Sequence, residues 1–269
     1  MNVFFEQFAS VFLHPGVIVG LGVELALFAL LAFAYQKYKE NSFVVFFEMF
    51  FEKAYEFFED ILGIEEKKWT KIYITSLFFI ILLSNLLGVF LELLLPIFGH
   101  GLEHWIKIPT ADINFNVAMA VVGVIIVLYE QFAFLGFGKT MYEYFPILGK
   151  DYIPFQRGNL PSYIDLPVFL LVKIFDIIIS VFLGLLEIVG HAAKIISLSF
   201  RLFGNVTSGG ILLAMLIGAL SALSTSLVGF DFPVLGPIIL YLQELLVAFI
   251  QALVFPLLIA IFIKVAKVH

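Results

Sequence analysis

The residues with most chemical potential sit in a segment too apolar to welcome them. Residues 187–210 read EIVGHAAKIISLSFRLFGNVTSGG, with Arg201 near the centre, Ser197 four residues before it and Asn205 four after. On a helix these three share one face. Steps of seven from Arg201 reach Lys194 and Glu187 backward and Ser208 forward, so a polar stripe covers about 33 Å of helix at 1.5 Å per residue. Placing an arginine at the middle of a lipid-spanning helix costs roughly 2.5–3.5 kcal/mol on insertion scales, which marks it as a functional cation with a partner. The plainer reading is a structural arginine paired with a carboxylate on a neighbouring helix.

A second polar set lies in the closing apolar run. Glu244 and Gln251 are seven apart, so they share a face, and they could form a ladder opposite the Arg201 stripe. A hydrogen-bonded packing contact is the plainer account. However, low-dielectric surroundings favour the neutral form of a carboxyl group, which suits a proton carrier better than a fixed ion pair. Gly204, Gly209 and Gly210 leave room for a close helix neighbour.

The elements that must position these groups are membrane helices. Of 269 residues, 62% are apolar and 13% charged, with 33 Phe, and cysteine is absent, which removes disulfides and thiolate chemistry. The net charge of −6 arises largely from an acidic segment near residue 50, so it carries no argument for nucleic acid, and none is expected as a partner. No cleavable signal is expected, because no basic residue precedes the apolar ones at the N-terminus.

Residues 16–35 read as a first span. Residues 43–61 alternate Glu48, Glu52, Glu56 and Glu59 with phenylalanines at helical spacing, the pattern of an interfacial amphipathic helix. Residues 72–135 read as a helical hairpin whose second arm starts after Pro109, Thr110 and Asp112. Residues 161–265 read as a long tilted hairpin, turned by FDFPVLGP, with Pro256 expected to bend its second arm. Hydropathy leaves open whether 166–186 is a separate span. The fold class is therefore an all-α polytopic membrane protein, a single membrane domain over 1–269 with about five to six membrane helices and one interfacial helix.

Basic residues orient it. Six lysines fall between residues 36 and 71, four basic residues between 136 and 173, and Lys264 and Lys267 near the C-terminus, whereas the loop after the second span holds only Lys107. The positive-inside rule then puts the N-terminus outside and the C-terminus in the cytoplasm.

SLSFRLFGN, followed some fifty residues on by ELLVAFIQALVF, resembles subunit a of the rotary F-type ATP synthases. PTADINFN resembles the P-T-A-D-x-N loop of that family, and SNLLG its N-L-L-G element, so the likeness runs from about residue 72 to the end and more loosely before it. The resemblance implies that Arg201 is the essential stator charge, oriented by Gln251. It implies that Glu244, Asp112 and Asn114 line an outer half-channel, that Asn85 belongs to the second-span element, and that Glu187 is the acidic group fourteen residues before the arginine. Family members exchange a carboxylate between the positions of Gly210 and Glu244, and this chain keeps the second. Ser197 and Asn205 belong near the arginine or the inner path, with hydrogen bonds to their own helix backbone as the alternative. Two positions depart from the pattern: the approach over residues 167–187 is longer, and Pro256 stands where a small polar or apolar residue is expected.

The implied partners are the c-ring subunits, the subunit b peripheral stalk, the F1 sector and the lipid bilayer, in an energy-transducing membrane such as the bacterial inner membrane. The implied function is a proton-translocating stator with two offset half-channels; it needs no cofactor and does no ATP chemistry itself, in keeping with the lack of a Walker glycine loop. A secondary ion-coupled transporter is the alternative, and it predicts an internal repeat that the sequence lacks. A membrane enzyme is disfavoured because neither H-E-x-x-H nor G-x-S-x-G occurs. His191 reads as a packing or interfacial histidine rather than a relay. His100 and His104 are spaced for a metal but lack a third ligand.

Overall fold

Seven helices are seen in a computed structural model that describes residues 15–38, 40–98, 110, 112–146, 162–228 and 235–267. In order they are α1 (Pro15–Lys37), α2 (Ser42–Leu62), α3 (Lys68–Phe98), α4 (Ile113–Leu135), α5 (Phe137–Tyr144), α6 (Ser162–Val228) and α7 (Leu235–Ala266). No strand occurs among the described residues. Four helices, α3, α4, α6 and α7, are long and apolar enough to cross a membrane, and α1 contributes a shorter apolar stretch. The chain is an all-helical polytopic membrane protein. The loop histidines His100 and His104 and the turn at 229–234 lie outside the described residues.

Local chemistry sets several ends. Asn41 caps α2 by accepting from the Phe43 amide at 3.0 Å, and Asp112 caps α4 by accepting from the Asn114 amide at 2.8 Å. Gly136 takes φ +82°, a conformation open to glycine, where α4 turns directly into α5.

α6 is one continuous helix through the stretch 166–186 that hydropathy leaves open. Its Lys173 and Asp176, which look like an interruption in sequence, approach to 3.7 Å at i,i+3 and so reduce each other's cost in the apolar run. At 1.5 Å per residue its 67 residues extend about 100 Å, against a hydrocarbon core of about 30 Å. A straight helix of this length fits within the core only if inclined about 70° from the membrane normal. α7 continues on both sides of Pro256.

α7 packs against α2, α3, α4 and α6, and forms the middle of the bundle. Around it cluster Phe58, Ile74, Phe78, Ile81, Leu198, Leu202, Phe255 and Ile259, all nearly inaccessible. Lipid is as apolar as these side chains, so packing here is held by close fit and by polar contacts rather than by a hydrophobic drive. The polar contacts gather at one end. Glu130 of α4 is fully buried, and its carboxylate accepts from Lys267 at 2.7 Å, from Lys67 at 3.2 Å and from Thr70 at 3.2 Å. Lys267 also meets Glu66 at 2.6 Å, and Lys264 donates to the Ile61 carbonyl at 3.0 Å. The end of α7 is thereby tied to α2, α3 and α4.

Candidate functional site

The long apolar helix presents Arg201 on an exposed face, with exposed Ser197 and Asn205 one turn to either side of it and exposed Phe200 on its flank. Among the described residues no acidic side chain forms an ion pair with it. Leu198 and Leu202, on one flank of the same turn, are buried in the core, so Arg201 lies at the edge where α6 leaves the bundle.

One turn on, Asn205 Nδ2 donates to Gln251 Oε1 at 2.9 Å, joining α6 to α7. Gln251, which the resemblance implies as the residue orienting the arginine, accepts through Oε1 from Asn205, one turn along from exposed Arg201. A further turn along, Gly209 gives Glu244 its place: a Cβ there would come within 3.1 Å of Glu244 Oε1. Thus Asn205 faces Gln251 and Gly209 faces Glu244, so that a four-residue step on one arm meets a seven-residue step on the other.

Behind this pair is a cavity of about 40 Å³, lined by Asn85, Thr110, Asn205, Gly209, Glu244 and Gln251 among others. Asn85 is buried and donates from Nδ2 to the Ala248 carbonyl at 3.3 Å. Asn85 Oδ1, Thr110 Oγ1 and Gln251 Nε2 are buried without a hydrogen-bond partner among the described residues. A cavity of that size has room for about two or three water molecules, and unpaired polar atoms on an otherwise largely apolar wall are the ones that hold water.

The other sequence-selected residues lie in different places. Asp112 and Asn114 are joined to each other, Asn114 donating to Asp112 from both its backbone and its side chain at 2.8 and 2.9 Å. Their observed contacts form a helix cap close to Thr110, and Asn116 Nδ2 donates to the Thr110 carbonyl at 2.7 Å. Ser197 is exposed, and Ser199 makes the bond back to its own helix, donating to the Ile195 carbonyl at 2.7 Å. Glu187 is half-buried further down α6. Sequence alone does not point to Thr110 or Gly209 as site residues: Thr110 gives no signal beyond its closeness to Asp112, and Gly209 only that of a small residue.

A separate polar group sits at the end of α4 and on α5. Tyr144 is buried, donates to Gln131 Oε1 at 2.7 Å and lies 2.8 Å from His191 Nε2. Burial, with Glu187 and Glu143 nearby, pushes the Tyr144 phenol up to about 12, so it stays protonated at physiological pH. Among the described residues no group of three or more His, Asp or Glu side chains could hold a metal ion.

Comparison with known proteins gives the family of the chain. A family described as the ATP synthase A chain matches residues 17–264. The ATP synthase subunit a of Anaeromyxobacter dehalogenans (strain 2CP-C) is 30% identical over 197 residues, 73% of this chain and 42% of that protein. The sodium ion specific ATP synthase subunit a of Propionigenium modestum is 26% identical over 231 residues, 81% of this chain and 62% of that protein. The subunit a of Mesorhizobium japonicum is 30% identical over 221 residues, 79% and 71% respectively. The chain thus spans about half the length of the first two of these relatives. With a match running almost from end to end, the chain belongs to the ATP synthase A chain family.

Proposed function

We propose that this chain is the proton-translocating stator, subunit a, of a rotary ATP synthase, and that it offers two offset half-channels to a ring of c subunits. The observation that carries this reading is Arg201, exposed on a long apolar helix with no acidic partner among the described residues. A guanidinium is not deprotonated in proteins, so in lipid it needs an anion; none of the described residues supplies one, and the stator reading assigns it to the rotor. A rotor carboxylate arriving protonated is neutral and compatible with lipid. Facing Arg201 it is stabilised in its ionised form and gives up its proton, and the fixed cation bars direct passage between the two paths.

The cavity bounded by Asn85, Thr110, Asn205, Glu244 and Gln251 is the candidate outer half-channel, and Glu187 with Ser197 marks the inner one. Asp112 and Asn114 shape the outer mouth through the cap that begins α4, next to Thr110, whose carbonyl is held by Asn116. The transmembrane potential contributes about 2.3 kcal/mol per elementary charge per 100 mV and biases the direction of turning. The peripheral stalk subunit b and the F1 sector complete the assembly in an energy-transducing membrane, with the C-terminus on the cytoplasmic side.

The test is Arg201→Ala in the assembled complex, in inside-out vesicles. The complex should form in normal amount, and ATP-driven proton pumping should be abolished. Pumping at wild-type coupling in that variant would overturn the assignment.

A further inference from the structure

The polar group around His191 has a hydrogen-bond order that can be deduced. Gln131 Nε2 donates to Glu143 Oε2 at 3.3 Å, and a carboxylate only accepts, so the amide orientation is set and Oε1 faces Tyr144. Tyr144 donates its single proton to that oxygen at 2.7 Å. The 2.8 Å contact between the Tyr144 oxygen and His191 Nε2 must then be made by an Nε2–H donating. Neutral His191 is therefore the Nε2–H tautomer. Its Nδ1 carries a bare lone pair, buried and without a partner among the described residues. Gly184 enforces this placement: a Cβ there would run into the Tyr144 carbonyl oxygen, so α6 can approach α5 closely only at glycine.

We propose that His191 is a proton-relay residue of the inner access route, with Nδ1 as the atom that takes the proton and Tyr144 and Gln131 as positioning residues; this rests on the stator reading above. His191 is ten residues before Arg201, about 15 Å along the helix, and four after Glu187, on the inner side of the arginine. The charged and titratable groups around it are Glu187 and Lys194 on α6, and Glu143 and Tyr144 on α5; Gln131 on α4 is neutral. Lys194 is drawn aside over the Phe262 ring, 4.7 Å from its centroid. A proton released at Arg201 travels as hydrated proton to the imidazole. There its O–H bond breaks as an N–H bond forms at Nδ1, giving imidazolium. The same N–H then breaks toward the Glu187 carboxylate or toward water on the inner side, and neutral His191 is restored with Nε2–H still on Tyr144.

His191→Gln separates relay from packing, because glutamine keeps an N–H donor toward Tyr144 and loses the basic nitrogen. The complex in inside-out vesicles made proton-leaky with an ionophore is assayed for ATP hydrolysis, which still requires the ring to turn. Turnover should fall at least about tenfold in His191→Gln, with assembly unchanged and partial restoration by imidazole in the medium, which reaches the inner mouth. Tyr144→Phe, which frees the tautomer, should lower turnover less and shift its pH profile. Wild-type turnover in His191→Gln, or a loss that imidazole does not relieve, overturns the relay. Arg201→Ala is measured alongside for ATP-driven pumping in sealed vesicles. Pumping that persists there brings down the stator reading, whereas pumping lost there with normal His191→Gln turnover brings down the relay alone.

Discussion

At the scale of single residues, the contact between the hairpin arms is where small changes should read out most directly. Glu244→Gln removes an ionisable group from the cavity wall while keeping its size, so proton flux should slow with assembly intact; unaltered flux in vesicles would take Glu244 out of the path. Gly209→Ala adds a Cβ within 3.1 Å of the Glu244 carboxylate. The far end of that side chain can swing away, so the complex should assemble normally and pump more slowly, as measured by ATP-driven acidification. Much of this contact was legible in sequence. Arg201, Asn205, Glu244 and Gln251 repeat at fours and sevens, and helical periodicity turns those intervals into faces. Thr110 was not legible as a cavity residue, because its place on the wall follows from how the end of one helix meets two others. Asp112 shows the converse, since the rule that places an acidic residue before a helix foretells the cap it forms.

At the scale of elements, the ionic knot at Glu130 holds the end of α7. Removing one partner of a buried charge pair leaves the other uncompensated, a loss of roughly 3–5 kcal/mol. Lys267→Met leaves Glu130 with Lys67, which is partly exposed, and should loosen the last turn of α7; limited proteolysis or hydrogen exchange there should detect it. Glu130→Ala leaves Lys267 with only Glu66 and should lower the melting temperature of the detergent-solubilised complex more than Lys267→Met does. The knot joins groups 63 and 137 residues apart in sequence, so no local pattern announces it. The continuity of α6 was hidden for a different reason. Hydropathy counts Lys173 and Asp176 as two separate penalties, although their spacing lets them meet.

At the scale of the whole molecule, Lys67 and Lys71 at the start of α3 and Lys267 at the end of α7 gather on one side, near Glu130 of α4, and the positive-inside rule turns that side inward in the proposed orientation. The absence of cysteine makes the orientation simple to check. Lys139→Cys, at an exposed position on α5, should react with a membrane-impermeant maleimide in inside-out vesicles and not in right-side-out ones. An α6 inclined as its length requires has an electrical consequence. A helix with its side chains is only about 10–12 Å thick, and laid close to the membrane plane it becomes a septum of that thickness rather than a wall of about 30 Å. If water reaches one flank of α6 from each bath, the membrane voltage falls across the width of a single helix. The field on a charge beside Arg201 is then about three times what a uniform bilayer would supply.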